Sequence, residues 1–133
     1  MPFPTSIQYI RDAEQELNVI FPDGFKSRML KMNGGELETD DDVWQLFPFF
    51  DKSDKKLMSR TSNHIVLETG EAREWKGFPE RAVAIASNGC GNYLILMPAY
   101  PGHNSLKENI YVWHHENGEI TQLASAIDVL EGK

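Results

Sequence analysis

Cysteine is nearly absent from this sequence. The one residue, Cys90, has no partner for an internal disulfide, which excludes a small secreted scaffold held by disulfides. No apolar run approaches the ~20 residues that a membrane-spanning helix needs. The opening Met-Pro-Phe-Pro-Thr lacks both the basic stretch and the apolar core of a secretory signal, so cytoplasmic residence is the expectation and a membrane protein is excluded. Seven prolines and ten glycines in 133 residues are too few for a collagen-like or low-complexity chain. Basic side chains are also short: 13 Lys and Arg against 20 Asp and Glu leave a net charge of -7, which disfavours nucleic acid and anionic membranes as partners.

What is present describes a globular protein. With 41% apolar and 11% aromatic residues, a chain of 133 residues buries enough surface for one compact domain, expected to span residues 1–133. The acidic excess is concentrated. Residues 1–35 carry four acidic and four basic side chains, residues 52–133 carry ten and nine, and residues 36–51 carry six acidic side chains and no basic one.

Periodicity organises the rest. Thr5 and Gln8 have capping-box spacing, and Ile7, Ile10, Ala13 and Leu17 recur at a helical period, which predicts a helix over about residues 6–17 that ends at Asn18. Pro22 is placed to open a second helix with Phe25, Met29 and Met32 on one face, and Asn33-Gly34-Gly35 stops it. Val43–Phe47 then reads as a strand, paired with Gly35–Glu38 across an acidic Thr39–Asp42 loop. Lys52–Arg60 reads as loop. Residues 62–76 read as a helix with Ile65, Ala72 and Trp75 on one face.

Three β-prone runs, Ala82–Ser87, Tyr93–Met97 and Ile110–His114, predict an antiparallel meander, with Asn88-Gly-Cys-Gly-Asn92 turning the first pair. Asn117-Gly118 suits a two-residue type I′ turn onto Glu119–Gln122, and Ser125 is placed to cap a last helix that docks Ile127 and Leu130. The expected class is α+β: a mainly antiparallel sheet with helices at the N- and C-terminal ends packed against it.

Candidate chemistry is sparse. His114 and Glu116 share one side of a strand end and, with His103, are the best metal-ligand candidates for a small metal-dependent hydrolase. No helical H-E-x-x-H accompanies them, and a hydrogen-bonded strand end accounts for the same residues, so no metal, cofactor or catalytic residue is assigned. Cys90 between two glycines matches no nucleophile motif, Asp40-Asp41-Asp42 lacks the alternation of a calcium loop, and neither glycine cluster has phosphate-cradling spacing. There remains the stretch 36–51, where carboxylates interleave with aromatics in the manner of a protein interface. Its candidate contacts are Glu36, Glu38, Asp40, Asp41, Asp42, Trp44 and Asp51. A solvated face, with the apolar residues in the core, accounts for the composition equally.

Several motifs in order resemble a known family. Ile7-x-x-Ile10-x-x-x-Glu14-x-x-Leu17-x-Val19-x-Phe21-Pro22-Asp23-x-Phe25-Lys26, closing on Asn33-Gly34-Gly35, is similar to the opening of SUKH-type (Smi/Knr-type) domains. Ala82-Val-Ala-Ile-Ala86, then Asn88-Gly89-x-Gly91-Asn92, then Ile110-Tyr-Val-Trp113-x-His115-Glu116, resemble its later strands and turns over residues 7–130. Asn92 and His114 stand where the family commonly has Asp, which argues further against a metal. The resemblance implies an α+β, non-catalytic protein-binding domain without cofactors. Bacterial members are immunity proteins for polymorphic toxins, nucleases among them, and fungal relatives are regulatory scaffolds. Asn33, Gly34, Gly35, Gly89, Gly91, Asn92, Trp113, His115 and Glu116 carry over only as structural motif positions. The implied partner is a protein, expected to be a basic toxin domain, and a scaffold role without a toxin is the alternative.

Overall fold

The computed structural model describes residues 2–131. Its elements in chain order are α1 (Ile7–Leu17), α2 (Asp23–Lys31), β1 (Gly35–Glu38), β2 (Val43–Leu46), α3 (Lys55–Arg60), α4 (Ile65–Ala72), β3 (Val83–Ser87), β4 (Tyr93–Leu96), β5 (Ile110–Trp113), β6 (Ile120–Ala124) and α5 (Ile127–Glu131). The six strands pair antiparallel in sequence order, β1 to β6. The α+β class expected from the periodicities is the one observed, including the hairpin across Thr39–Asp42 and the meander of β3, β4 and β5.

Register separates the two faces of the sheet, because alternate residues of a strand point opposite ways. One row of neighbours runs Leu46, Ala86, Leu94, Val112, with Leu37 and Trp44 on the same side of the first hairpin, and every one of these is buried. The other row runs Glu36, Gln45, Ser87, Tyr93, Trp113, Ile120 across all six strands. That second row is buried only in its middle, at Tyr93 and Trp113, and is exposed at both edges.

Polar side chains lock the connections. A bulge between Ala84 and Ala86 in β3 frees backbone groups, and the buried Thr69 hydroxyl of α4 meets both ends of Ala84, accepting from its N–H at 3.1 Å and donating to its C=O at 3.3 Å. Buried Asn33 clamps Phe49 in the same way, its Nδ2 donating to the Phe49 C=O (2.9 Å) and its Oδ1 accepting from the Phe49 N–H (2.7 Å). Phe49 is thereby held in an aromatic cluster with Phe21 and Phe25, at ring separations of 5.1 and 6.1 Å. Arg28 in the last turn of α2 donates through Nε to both Glu131 carboxylate oxygens and through Nη1 to the C=O groups of Met32 and Gly34, tying α5 to the Asn-Gly-Gly turn.

Local expectations fail where side chains have better partners. Thr5 does not cap α1. Ser6 is the residue before the helix, and the Thr5 hydroxyl donates instead to Asp51 Oδ2 at 2.9 Å. The segment read as loop contains α3, capped by Asp54, whose Oδ1 accepts from the Leu57 N–H at 2.8 Å. None of its residues is buried, so it has no apolar stripe to read. The β5–β6 turn is longer than type I′, which needs positive φ at both central residues. Gly118 has φ 77° but Asn117 does not lie in that region, and His114 pairs with Glu119 around four intervening residues. Ala126, rather than Ser125, directly precedes α5. Met32 lies past α2 and is exposed, and Trp75 lies past α4 with 45% of its surface exposed.

Candidate functional site

The antiparallel order brings three turns to one end of the sheet: Thr39–Asp42 between β1 and β2, Asn88–Asn92 between β3 and β4, and the turn after Trp113 between β5 and β6. The first is held by Thr39. Its N–H donates to the Asp42 C=O at 2.8 Å, and its hydroxyl donates to that C=O and accepts from the Asp42 N–H. With the backbone closed on itself, Asp40 and Asp41 are left exposed. Asp42 is half-buried and its Oδ2 accepts from Asn88 Nδ2 at 3.2 Å, which links the first turn to the second.

Asn88 organises the second turn: its Oδ1 accepts from the backbone N–H groups of Cys90 (2.9 Å) and Asn92 (3.2 Å). Gly89 and Gly91 both have positive φ, and at Gly91 a Cβ would also stand 2.9 Å from His115 Nδ1, so glycine is required there twice over. Asn92 joins the second turn to the third. Its Oδ1 accepts from the His115 N–H at 3.1 Å and lies 2.7 Å from His115 Nδ1. An amide oxygen carries no proton and can only accept, so His115 Nδ1 is the donor of the second bond. Asn92 therefore supplies this acceptor without a charge. Trp113 is fully buried and donates through Nε1 to the Gly77 C=O at 3.1 Å. The nine motif positions thus split between the Asn33 clamp with Gly34 and Gly35 at one place and the linked turns at another, with Glu116 exposed at the tip.

The acidic candidates divide. Glu36 and Glu38 are exposed on β1, on the same face as Gln45 and Val43 of β2, and Glu36 Oε2 accepts from Gln45 Nε2 at 2.7 Å. Trp44 and Asp51 do not belong with them. Trp44 is 2% exposed, because alternation along β2 turns it inward with Leu46 and turns Val43 and Gln45 outward. Asp51 is 3% exposed and accepts from Thr5 Oγ1, Ser53 N–H and Ser53 Oγ. Burial pushes its pKa up, but these hydrogen bonds outweigh it and hold the carboxyl below its ordinary value. Both side chains, expected among the partner contacts, are buried and so lie apart from the surface that Glu36 and Glu38 share.

The hydrolase ligand set is not assembled. His114 Nε2 faces Thr121 Oγ1 at 3.0 Å, whereas His103 packs on Tyr100 in the β4–β5 connection, at the opposite end of the strands. Among the described residues no three His, Cys, Asp or Glu side chains converge as a metal site would require. Sequence reasoning missed Trp75, whose ring meets His115 at 5.8 Å and Trp113 at 6.4 Å beside the third turn. The helical period assigned it inward. The signal against that reading was its setting, Glu-Ala-Arg-Glu-Trp-Lys, with charge on both sides.

A meander backed by helices, with hydrogen-bonded turns at one end and an acidic hairpin at one edge, defines an α+β domain. The family follows from the whole chain: it belongs to the SMI1 / KNR4 family (SUKH-1), whose model matches residues 4–130. A search of curated proteins found no match. No described helix is long and apolar enough to cross a membrane.

Proposed function

We propose that this protein is a non-catalytic, cytoplasmic immunity-type binder that neutralises a cognate toxin domain by covering its active surface. The family supports a protein partner. The observation that carries the acidic part of the reading is the first hairpin: Glu36, Glu38, Asp40 and Asp41 are exposed, Asp42 is half-exposed, and none enters the three ion pairs found among the described residues. A nuclease toxin needs a basic surface to hold phosphates, and an unneutralised acidic hairpin complements it.

Co-expression with the product of the adjacent gene tests the reading, scored by complex formation and by rescue from growth arrest. Complex with rescue is expected; a complex without any toxicity to rescue indicates a regulatory scaffold and overturns the immunity role. In the purified pair, Asp40→Asn with Asp41→Asn and Asp42→Asn slows association at low salt, and the difference shrinks as added salt shortens the Debye length to about 8 Å at physiological strength. An on-rate unchanged at every salt concentration removes the acidic hairpin from the mechanism.

A further inference from the structure

In a chain of net charge -7, arginines without a carboxylate partner are unexpected, yet among the described residues only Arg28 of the arginines enters an ion pair. Two of the unpaired ones, Arg73 just past α4 and Arg81 just before β3, line the same cleft of about 290 Å³. The cleft lies at the end of the strands opposite the three linked turns. Its other walls are the end of α1, at Leu17, Asn18 and Val19, and the β4–β5 connection, at Pro98, His103 and Asn104.

Backbone bonds hold these walls in place. The Ile20 N–H donates to the Asn104 C=O at 2.8 Å and the Leu106 N–H to the Ile20 C=O at 2.9 Å, so the segment after α1 is stitched to the β4–β5 connection. The His103 N–H closes its own turn on the Tyr100 C=O at 3.0 Å, around Gly102 at φ 78°. On the third wall Arg73 Nη2 donates to the Ala82 C=O at 3.1 Å, which fixes that guanidinium against the segment that carries Arg81. The polar side chains of the cleft are otherwise uncommitted. Among the described residues Asn18, Arg81, His103 and Asn104 make no side-chain hydrogen bond, and Glu80, which also lines the cleft, forms an ion pair with neither arginine. Two guanidinium groups, which only donate, and two amides, which can, thus meet a single carboxylate.

We propose that this cleft binds the phosphate group of a small ligand, with Arg73 and Arg81 donating to its oxygens and the Asn18 and Asn104 amides completing the set. Geometry selects the anion: a tetrahedral phosphate presents acceptor oxygens in several directions and uses donors from all three walls, whereas a planar carboxylate is served by one guanidinium. The net charge of -7 disfavours a nucleic acid as the source of the phosphate, and the volume is at the lower end for small-molecule sites. The carbonyl ends of α1 and α4 oppose an anion here and Glu80 offsets part of the positive charge, so inorganic phosphate alone should bind in roughly the millimolar range. The site is separate from the acidic hairpin, and the protein-binding reading neither requires it nor fails with it.

The test is titration of the isotope-labelled protein with sodium phosphate at constant ionic strength, followed by two-dimensional NMR of the backbone amides and of the Asn18 and Asn104 side chains. Saturating shifts confined to the cleft are expected. Arg81→Gln should weaken binding about tenfold. Since the Arg81 side chain makes no hydrogen bond among the described residues, this variant should keep the parent spectrum away from the cleft. Arg81→Lys, which keeps the charge without the fork, should fall between the two, and Arg60→Gln, which removes an arginine outside the cleft, should bind as the parent does. A second arm with glycerol phosphate distinguishes the sources: tighter binding than inorganic phosphate supports a phosphate ester, weaker binding supports free phosphate. Absence of saturating shifts, equal affinity for acetate, or parent-like binding by Arg81→Gln overturns the proposal.

Discussion

The two halves of the stretch 36–51 both carry carboxylates, five in residues 36–43 and Asp51 alone in residues 44–51, and use them in opposite ways. In the first half, Glu36, Glu38, Asp40 and Asp41 are exposed on a hairpin whose turn is closed by Thr39, and among the described residues none of them enters an ion pair. In the second half Trp44 fills the buried face of β2, and past Leu46 the chain leaves the sheet: Phe47 and Phe49 enter the core, and Asp51 ties the N-terminal segment to the approach of α3. Carboxylates alone therefore do not mark a surface. What separates Asp41 from Asp51 is whether donors converge on the group. A buried charge persists only where several do, and Asp51 has three.

The comparison breaks first at its buried end. Trp44→Ala removes a ring from the continuous buried face, together with the Nε1–H donated to Thr39 Oγ1, and should cost about 3–5 kcal/mol, read as a lower denaturation midpoint. Asp51→Ala should cost about 3 kcal/mol, because it leaves the Ser53 N–H and the Thr5 hydroxyl without their charged acceptor. The same residue gives an acid limb. Since its folded pKa lies below the ordinary 3.8, its stabilisation is complete above that value and is lost as pH falls through the lower folded one. Chemical denaturation between pH 5 and pH 2 should show a shallower acid limb for Asp51→Asn than for the parent. An identical limb would assign acid sensitivity to other carboxylates.

A smaller effect belongs to His64, which sits before α4 with Nδ1 accepting from the Leu67 N–H at 3.3 Å and its ring stacked on Phe50 at 4.7 Å. Burial lowers its pKa; Glu16 opposes this and Lys52 adds to it. The neutral ring is the one that caps, so its contribution is fully present above the unfolded value of 6.5 and declines as pH falls through the lower folded value. His64→Asn keeps a capping oxygen without titrating, and its melting temperature should vary less than the parent's between pH 7 and pH 5. Equal variation would show that the cap is not the titrating contribution.

Much of the fold was legible because its elements obey one period each. The helix stop at Asn33-Gly34-Gly35, the first hairpin and the meander all follow from local pattern. Asn18 takes φ 55° at the end of α1, as a C-capping Asn should. The losses have a common cause: a side chain with a distant partner overrides a local preference. Thr5 has capping spacing but bonds Asp51, 46 residues away, and His115 at the β5–β6 turn is engaged by Asn92, 23 residues away. The two tryptophans exchanged places for related reasons. Either face of β2 was available to Trp44 until register against β3 chose one, and the helical period that placed Trp75 inward stops at Ala72. Of the site, the carboxylates were legible as charge. Their division into exposed and buried was not, because it depends on where the chain turns after Leu46.

The exposed end of the comparison should hardly register in stability. Asp40→Asn with Asp41→Asn and Asp42→Asn reduces the net charge of -7 by three while retaining the side-chain shapes. Asp42 loses only the charge on an oxygen that Asn can still present to Asn88 Nδ2. The turn itself is held by Thr39 and backbone groups, which the substitutions do not touch. Neighbouring like charges destabilise slightly, so the sign should be neutral to favourable, with the unfolding free energy staying within ~0.5 kcal/mol of the parent. A loss as large as that for Asp51→Ala would mean that the hairpin carboxylates hold the fold, and the two halves of the stretch would then be one structural unit rather than an anchor and a surface.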